Sequence, residues 1–279
     1  MNTSPRLVAD SGSTKTDWAI ITPERPAVVV KTQGINPFHQ DGAAIRAILR
    51  DELLPVLSAS FSPQSIHFYG SGVRPELEAP MEGLLREVFP HALTVEAHSD
   101  MLGAARALCA NAEGLACILG TGANSCLYDG SCIVQNTPAL GYILGDEGSG
   151  AVLGVRFLNA LYKGRLPQTI VHDFEAQQGL TMADVISRVY RQPMANRWLA
   201  SLSPFIHQYI NIGVVRQLVV DNFRDFIRRN IVPYGRPDLP LSAVGSIAYY
   251  YREQLAEAAQ AEGYALGRIL RSPLDALCD

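Results

Sequence analysis

Two short segments of the sequence combine glycine with small polar side chains directly after an apolar run. Residues 10–17 read Asp-Ser-Gly-Ser-Thr-Lys-Thr-Asp, and residues 119–125 read Leu-Gly-Thr-Gly-Ala-Asn-Ser. Such turns offer backbone amides for phosphate oxygens, and the first adds a carboxylate for hydrated Mg²⁺, so both suit a nucleoside triphosphate. An ordinary hairpin turn explains either segment alone. Their recurrence after two separate strands favours a phosphate chain held from both sides.

Three further polar residues have ordinary structural explanations. Asp100 stands where a predicted strand gives way to a predicted helix, and Ser99 or Asp100 can cap that helix, which stabilises it by about 1 kcal/mol. Asn36 precedes a proline, which favours extended backbone and a simple turn. Asp146 lies in a glycine-rich segment that can be a loop capping a helix at Ser149.

Motifs of several other enzyme classes are absent from the sequence. It contains no G-x-x-x-x-G-K-[ST], G-x-G-x-x-G, G-x-S-x-G or H-E-x-x-H. Its five cysteines form no C-x-x-C pair, so neither a zinc site nor a disulfide framework is indicated, and buried thiols are expected. Its six histidines show no metal-ligand spacing, and we assign no role to His98 although it lies near Asp100.

The polar segments are positioned by strands and helices that alternate along the chain. Apolar runs bounded by turn residues predict strands at 6–11, 17–22, 27–31, 65–69, 93–97, 115–119, 125–128 and 241–244. Helical periodicity predicts helices at 41–57, 75–88, 101–109, 149–162, 182–190, 197–209, 214–230 and 247–262. Because a strand, a glycine turn and a returning strand occur once in each half, the pattern indicates a duplicated architecture.

Composition narrows the class of protein. The chain has 279 residues, of which 48% are apolar and 18% charged, as in globular proteins large enough for two domains. Its net charge of -4 is spread without a basic run, which argues against a nucleic-acid surface. We find neither a signal-peptide pattern nor eighteen consecutive apolar residues, so we expect a cytoplasmic protein without a membrane segment.

Five segments, in order, resemble the signature segments of a known protein family. They are residues 10–18, 98–104, 118–125, 145–150 and 244–246. Together they resemble N-acetylglucosamine kinases and their BadF/BcrA-type ATPase relatives within the actin/hexokinase/Hsp70 superfamily. The resemblance spans nearly the whole chain.

The resemblance implies an α/β fold of two ribonuclease-H-like domains with an active-site cleft between them. The first domain is expected at residues 1–110, with the C-terminal tail 267–279 packing back on it. The second domain, with helical additions, is expected at 111–266. Sugar binding is expected to close the domains and exclude water.

The resemblance also implies roles for individual residues. Asp10 would organise Mg²⁺ through water, and Asp100 would be the catalytic base that accepts a proton from the sugar hydroxyl. The expected ATP phosphate-binding residues are Gly12, Ser13, Thr14, Lys15, Thr16, Gly120, Thr121 and Gly122. Gly245 and Ser246 would lie beside the adenosine. The expected sugar-binding residues are Asn36, Asp100, Asn124 and Asp146.

The function implied is ATP-dependent phosphorylation of an amino sugar, with N-acetylglucosamine first among the candidates. ATP and Mg²⁺ are the expected cofactors. The expected partner is the amino sugar, and neither nucleic acid nor a membrane is expected as a partner. The resemblance does not decide whether the protein forms a homodimer. The alternative is a non-kinase ATPase switch of the BadF/BcrA type or a sugar-sensing protein. No cysteine lies in the glycine context used by those activators for an iron–sulfur cluster, and Asn36, Asp100 and Asp146 have no task in such a switch.

Overall fold

The structure is a computed structural model that describes residues 4–12, 14–23, 25–58 and 61–278. The chain forms two compact units. The first consists of Met1–Ala110 together with Pro273–Asp279, and the second of Asn111–Ser272. Each unit has its own sheet and its own hydrophobic core.

The sheet of the first unit has five strands, in the order β3-β2-β1-β4-β5. The first three form an antiparallel meander, while β4 and β5 run parallel to β1. The strands are β1 (Arg6–Ser11), β2 (Lys15–Thr22), β3 (Arg25–Gln33), β4 (Ser65–Gly70) and β5 (Thr94–Ser99). Because β1, β4 and β5 are parallel, their carboxyl ends meet at one edge of the sheet, where Ser11, Gly70 and Ser99 are neighbours in register.

Helices cover both faces of this sheet. On one face, α1 (Gly42–Ala47) continues through a π-helical turn (Ile48–Leu53) and a 3₁₀ turn (Leu54–Val56), and packs beside α2 (Pro75–Val88). The core there contains Leu7, Trp18 and Phe68. The other face is covered by α3 (Asp100–Cys109), which contacts β1, β4 and β5. These helices correspond to the predicted ones within one or two residues.

The second unit repeats the strand order of the first. In its sheet, β6 (Gly114–Leu119), β7 (Ala123–Tyr128) and β8 (Ile133–Gln135) form the antiparallel meander. Strands β9 (Leu241–Val244) and β10 (Leu266–Leu270) run parallel to β6, so the order is β10-β9-β6-β7-β8. The expected pair of ribonuclease-H-like domains is therefore confirmed.

Nine helices of the second unit lie within the described residues. They are α4 (Gly141–Leu144), α5 (Gly150–Tyr162), α6 (Gln168–Gln178), α7 (Met182–Tyr190), α8 (Ala195–Ser201), α9 (Ser203–Gln208), α10 (Gly213–Phe226), α11 (Ser246–Tyr250) and α12 (Arg252–Ala261). Helix α10 continues through a π-helical turn (Ile227–Ile231) and a 3₁₀ turn (Val232–Tyr234). Their apolar faces form one core with the sheet, in which Phe157, Phe174 and Phe205 contact one another.

Several sequence predictions differ from this arrangement. Strands β8 and β10 and helices α4 and α6 were not predicted. The helix predicted at 197–209 is two helices, since Pro204 stands in the first turn of α9 and lacks an amide hydrogen for the preceding helix. The helix predicted at 247–262 is interrupted at Tyr251.

The C-terminal segment also differs from expectation. The tail expected to return to the first domain was 267–279, but β10 pairs with β9 in the second sheet. Only the final segment belongs to the first unit, where α13 (Leu274–Leu277) contacts β1 and α3. In the described part of the chain, the structure contains no helix with both the length and the apolar character needed to cross a bilayer.

Candidate active site

The turn that follows β1 is held by hydroxyl and backbone hydrogen bonds. Gly12 N donates to Lys15 O at 3.0 Å, which closes the turn. Below it, the Ser11 and Thr16 hydroxyls lie 2.6 Å apart, and Ile35 N donates to both, at 3.0 and 3.2 Å. Thr16 is fully buried and its hydroxyl donates to Gln33 O, so its side chain supports the turn and is not available to a phosphate. A phosphate contact of Thr16 stays a prediction, and it would have to come from the backbone of this residue.

The other described residues of the turn face solvent. Gly12, Thr14 and Lys15 are exposed, while Ser13 lies outside the described residues. Lys15 forms an ion pair with Asp17 of β2, and its side chain keeps 57% of its surface in solvent. The turn therefore presents a cation at the edge of the sheet, which suits an anionic ligand.

Asp10 lies one residue before this edge, in a crowded acidic environment. The pKa of Asp10 is raised to about 7, chiefly by burial and then by the carboxylates of Asp100 and Asp17, while the Lys15 ammonium opposes this increase. A cation beside Asp10 would offset this repulsion. A bound cation would therefore stabilise the ionised carboxylates of this site.

Asp100 is the first residue of α3, and the cap of that helix is its neighbour Ser99. Ser99 Oγ accepts from Leu102 N at 3.3 Å. Burial raises the pKa of Asp100 to about 6, although a hydrogen bond from Met101 N lowers it. The helix cap and the candidate catalytic base are therefore different residues. Ser99 caps the helix, and Asp100 is a partly desolvated carboxyl at the same sheet edge as Asp10.

Asn36 is buried in the turn after β3, whose end lies beside the start of β2. Its backbone N donates to Gln40 Oε1 at 2.7 Å, and its Oδ1 accepts from Phe38 N at 3.0 Å. Because Asn36 Oδ1 accepts a hydrogen bond within the turn, Asn36 Nδ2 is the side-chain atom that can donate one to a ligand. The first unit thus brings Asp10, the glycine turn, Asn36 and Asp100 to one edge of one sheet.

In the second unit, the turn after β6 is attached to the start of α5. Gly150 N donates to Gly120 O at 2.8 Å, and Ala151 N donates to Thr121 O at 3.2 Å. Gly120 N donates to Gly122 O at 3.0 Å, so this amide is engaged inside the turn. A phosphate contact expected from Gly120 N therefore competes with that hydrogen bond.

Asp146 lies beside this turn in left-handed backbone, with φ 53°. A Cβ placed on Gly122 would lie 3.0 Å from Asp146 Oδ2. Burial raises the pKa of Asp146 to about 6, with a smaller increase from Glu147, while hydrogen bonds from the amides of Ala123 and Gly141 lower it. Asp146 is therefore a desolvated carboxyl held by backbone amides in the second unit.

Asn124 and Gly245 complete the predicted residues of this unit. Asn124 Oδ1 accepts from Ser125 N and Asn136 Nδ2, both at 2.9 Å, which leaves its own Nδ2 as a donor. Gly245 has φ 117°, and a Cβ there would lie 2.3 Å from Leu119 O, so only glycine fits against the end of β6. Ser246 follows as the first residue of α11.

Some residues that hold the loop at 145–150 were not predicted from the sequence. Asn222 of α10 is fully buried, and its side chain accepts from Gly148 N at 3.3 Å and donates to Ser149 O at 3.2 Å. Glu147 pairs with Arg229 at 3.1 Å. An asparagine on the otherwise apolar face of a helix was the available signal, since a buried amide must find partners.

The described chain contains no set of three or more His, Cys, Asp or Glu side chains grouped around one metal position. It does contain a buried acceptor atom without a partner, Asp17 Oδ1, next to the acidic surroundings of Asp10. Carboxylate oxygens are the ligands that Mg²⁺ prefers, and it commonly retains most of its waters. The residues present therefore fit a hydrated Mg²⁺.

Comparisons with known proteins place the chain in a family. Neither a scan against models of protein families nor a search of curated proteins gives a match. Among solved structures, a "putative N-acetylglucosamine kinase" from Porphyromonas gingivalis is 49% identical, with a TM-score of 0.93, and the match covers 98% of this chain and 96% of that one.

Two more distant structures share the fold. A "putative N-acetylglucosamine kinase" from Chromobacterium violaceum is 15% identical with a TM-score of 0.70, over 95% of each chain. A ROK family glucokinase from Streptomyces griseus, in complex with glucose and AMPPNP, is 14% identical with a TM-score of 0.58, over 97% of this chain and 95% of that one. With a 49% identical relative across nearly its full length, the chain belongs to the N-acetylglucosamine kinase family, a family of ATP-dependent carbohydrate kinases with the actin/hexokinase-type fold.

Proposed function

We propose that this protein transfers the γ-phosphoryl group of ATP to a hydroxyl of an N-acetylated amino sugar, with N-acetylglucosamine as the first candidate. The observation that carries the proposal is the environment of Asp100. It is a desolvated carboxyl with a raised pKa, at the same sheet edge as a glycine turn, a lysine and Asp10. A general base for a sugar hydroxyl needs a pKa near the working pH, which burial supplies here.

In the proposed reaction, Asp100 accepts the hydroxyl proton while the sugar oxygen forms a bond to the γ-phosphorus. The bond from that phosphorus to the bridging oxygen of the β-phosphate breaks, and ADP leaves with the electron pair. Little covalent chemistry is needed from the protein, so positioning and charge neutralisation supply most of the rate.

On the nucleotide side, the proposal assigns the phosphates to the two glycine turns and the adenosine to the region of Gly245 and Ser246. Lys15 would neutralise phosphate charge, since its ammonium is exposed at the first turn. Mg²⁺ would supply charge neutralisation of the phosphates, with Asp10 holding it through water. The glucokinase with bound AMPPNP supports this only as a protein of the same fold.

On the sugar side, the proposal assigns hydroxyl recognition to Asn36, Asn124 and Asp146. Each has an oxygen that is engaged by backbone amides or by a neighbouring amide, so each is held in place before a ligand binds. Buried groups that need a hydroxyl partner reject sugars that lack it, because an unpaired buried polar group is costly. The choice of an N-acetylated sugar rests on the family of the 49% identical relative.

A coupled assay of ADP release with a panel of sugars tests the proposal. The panel contains N-acetylglucosamine, N-acetylmuramate, glucosamine and glucose, each with saturating Mg²⁺ and ATP. We expect kcat/KM for N-acetylglucosamine to exceed that for glucose by about 10- to 200-fold, the range for one methyl-sized contact of ~1–3 kcal/mol. A ratio at or below one would contradict the amino-sugar assignment. If the rate of ADP release is the same with and without each sugar, the kinase assignment is contradicted and an ATPase is favoured.

A further inference from the structure

Asp17 lies directly opposite Asp10 in the antiparallel pair of β1 and β2. Side chains of directly opposite residues project from the same face of a sheet, about 5 Å apart at Cβ. The two carboxylates therefore share the face that carries Val8 and Ala19 and is packed against Leu274. Asp17 is a neighbour of the proposed Mg²⁺ residue through sheet geometry, not through proximity in sequence.

The two oxygens of Asp17 have different environments. Oδ2 accepts a hydrogen bond from the Lys15 ammonium. Oδ1 is buried and has no hydrogen-bond partner among the residues that the structure describes, and Asp17 as a whole is only 9% exposed. Lys31 is the register neighbour of Asp17 on β3, yet the ammonium that bonds Asp17 is that of Lys15.

A buried carboxylate oxygen without a partner is costly, and more so when a second carboxylate lies beside it. Lys15 satisfies only one oxygen of the pair formed by Asp10 and Asp17. A divalent cation, or a water molecule bound to it, would satisfy Oδ1 and neutralise both carboxylates.

We infer that Asp17 is the second carboxylate of the Mg²⁺ site, where its Oδ1 receives the ion or one of its waters alongside Asp10. The inference rests on the proposed function for the identity of the ion, because Mg²⁺ enters with ATP. It assigns Asp17 two tasks on its two oxygens: Oδ2 holds Lys15 at the phosphate turn, and Oδ1 faces the cation.

The competing interpretation is that Asp17 only positions Lys15. The two interpretations predict opposite effects of removing the lysine. If Asp17 acts only through Lys15, then Asp17→Asn and Lys15→Met should change cation binding in the same way. If Asp17 Oδ1 contacts the cation shell, Asp17→Asn weakens binding, whereas Lys15→Met removes a competing positive charge and leaves cation binding equal or tighter.

Mn²⁺ binding measured by electron paramagnetic resonance, in the presence of AMPPNP and without sugar, tests this without relying on turnover. We expect Asp17→Asn to weaken Mn²⁺ binding by about tenfold or more, as is typical when a group supporting a metal site is removed. Asp17→Glu, which keeps a carboxylate, should restore part of the affinity. Asp51→Asn removes the same charge from an exposed position of the same unit and should leave binding unchanged.

Unchanged affinity in Asp17→Asn, or equal weakening in Asp17→Asn and Lys15→Met, would overturn the inference. Asn has nearly the shape of Asp, so the variant should fold, and near-ultraviolet circular dichroism checks this. Should it not fold, Lys15→Met still tests the site, because the inference expects Mn²⁺ binding equal to or tighter than that of the unmodified protein, and weaker binding by Lys15→Met would overturn it. Failure of the unmodified protein to bind AMPPNP at all would instead contradict the proposed function.

Discussion

Ser99 and Asp100 are neighbours in sequence with separate tasks in the structure. The Ser99 hydroxyl accepts the amide hydrogen of Leu102, as an N-cap does. Asp100, one residue later, is left with a desolvated carboxyl and the amide of Met101 as a hydrogen-bond donor. Because the cap does not depend on Asp100, a substitution there can test catalysis without removing the start of the helix.

We predict that Asp100→Asn folds normally and loses turnover by about 10²–10⁴-fold, the usual contribution of a general base. Asn keeps the shape of Asp but cannot accept the hydroxyl proton. Steady-state kinetics with N-acetylglucosamine measures the loss. The matched control is Ser99→Ala, which removes the cap, costs about 1 kcal/mol of stability and should keep most of the turnover.

The pH dependence of turnover gives a second check on the same residue. A base acts in its ionised form, and the pKa of Asp100 is raised to about 6. Turnover of the unmodified protein should therefore fall as the pH decreases through about 6, and Asp100→Asn should lack this step. Near-normal turnover in Asp100→Asn would return the residue to a structural role.

At the scale of elements, the loop between α4 and α5 depends on α10. Asn222 contacts two backbone groups of the loop, and Glu147 of the loop pairs with Arg229. Gly148 has φ 80°, and a Cβ there would lie 2.8 Å from Phe226 Cβ. The loop that carries Asp146 is therefore fitted closely against a helix and is not a freely flexible segment.

We predict that Gly148→Ala destabilises the protein by about 2–4 kcal/mol. Left-handed backbone costs a residue with a Cβ about 1–2 kcal/mol, and the overlap with Phe226 adds a similar overpacking cost. The variant should also raise KM for the sugar, because Asp146 moves with the loop. Urea denaturation and steady-state kinetics measure the two effects.

Gly164→Ala is the matched control for this prediction. Gly164 has φ 67°, and a Cβ there meets no atom within 4 Å. The Gly164→Ala variant should therefore lose only about 1–2 kcal/mol of stability, from the backbone conformation, and its KM for the sugar should be unchanged. If Gly148→Ala and Gly164→Ala lose the same stability, the contact between the loop and α10 does not contribute to the stability of the protein.

At the scale of the whole molecule, two sheets with the same strand order are built from one chain whose last segment returns to the first unit. Leu274 of α13 packs with Val8, Ala19 and Tyr69, and Arg6 Nη2 donates to Cys278 O at 2.9 Å. The residues just before α13 form β10 in the second sheet. The chain therefore completes its second unit before it completes its first.

We predict that Leu274→Ala destabilises the first unit by about 2–5 kcal/mol, the usual cost of truncating a buried leucine. Hydrogen exchange of individual amides is the suitable measurement, because a protein of two units need not unfold in one step. Faster exchange should appear in β1 and β2 and not in β6 or β9. Leu93→Ala, at a position 77% exposed, should change stability by less than about 0.5 kcal/mol.

The α/β class, the division near residue 110, the duplicated hairpins and the family could all be predicted from the sequence. This is possible because these properties are local: apolar periodicity, glycine turns and residue order along one segment. The strands missed were β8, which has three residues, and β10, whose apolar run is interrupted by Gly267 and Arg268. Neither carries enough local signal to be distinguished from loop.

Which polar residues are available for chemistry depends on the folded structure. Thr16 and Ser99 resemble their neighbours in sequence, yet burial and hydrogen bonds commit the first to the turn and the second to the helix cap. Asp17 acquires its importance from strand register, which places it opposite Asp10. Register, burial and the pKa of a carboxyl are properties of groups brought together from distant parts of the chain. A sequence pattern cannot specify them before the chain has folded.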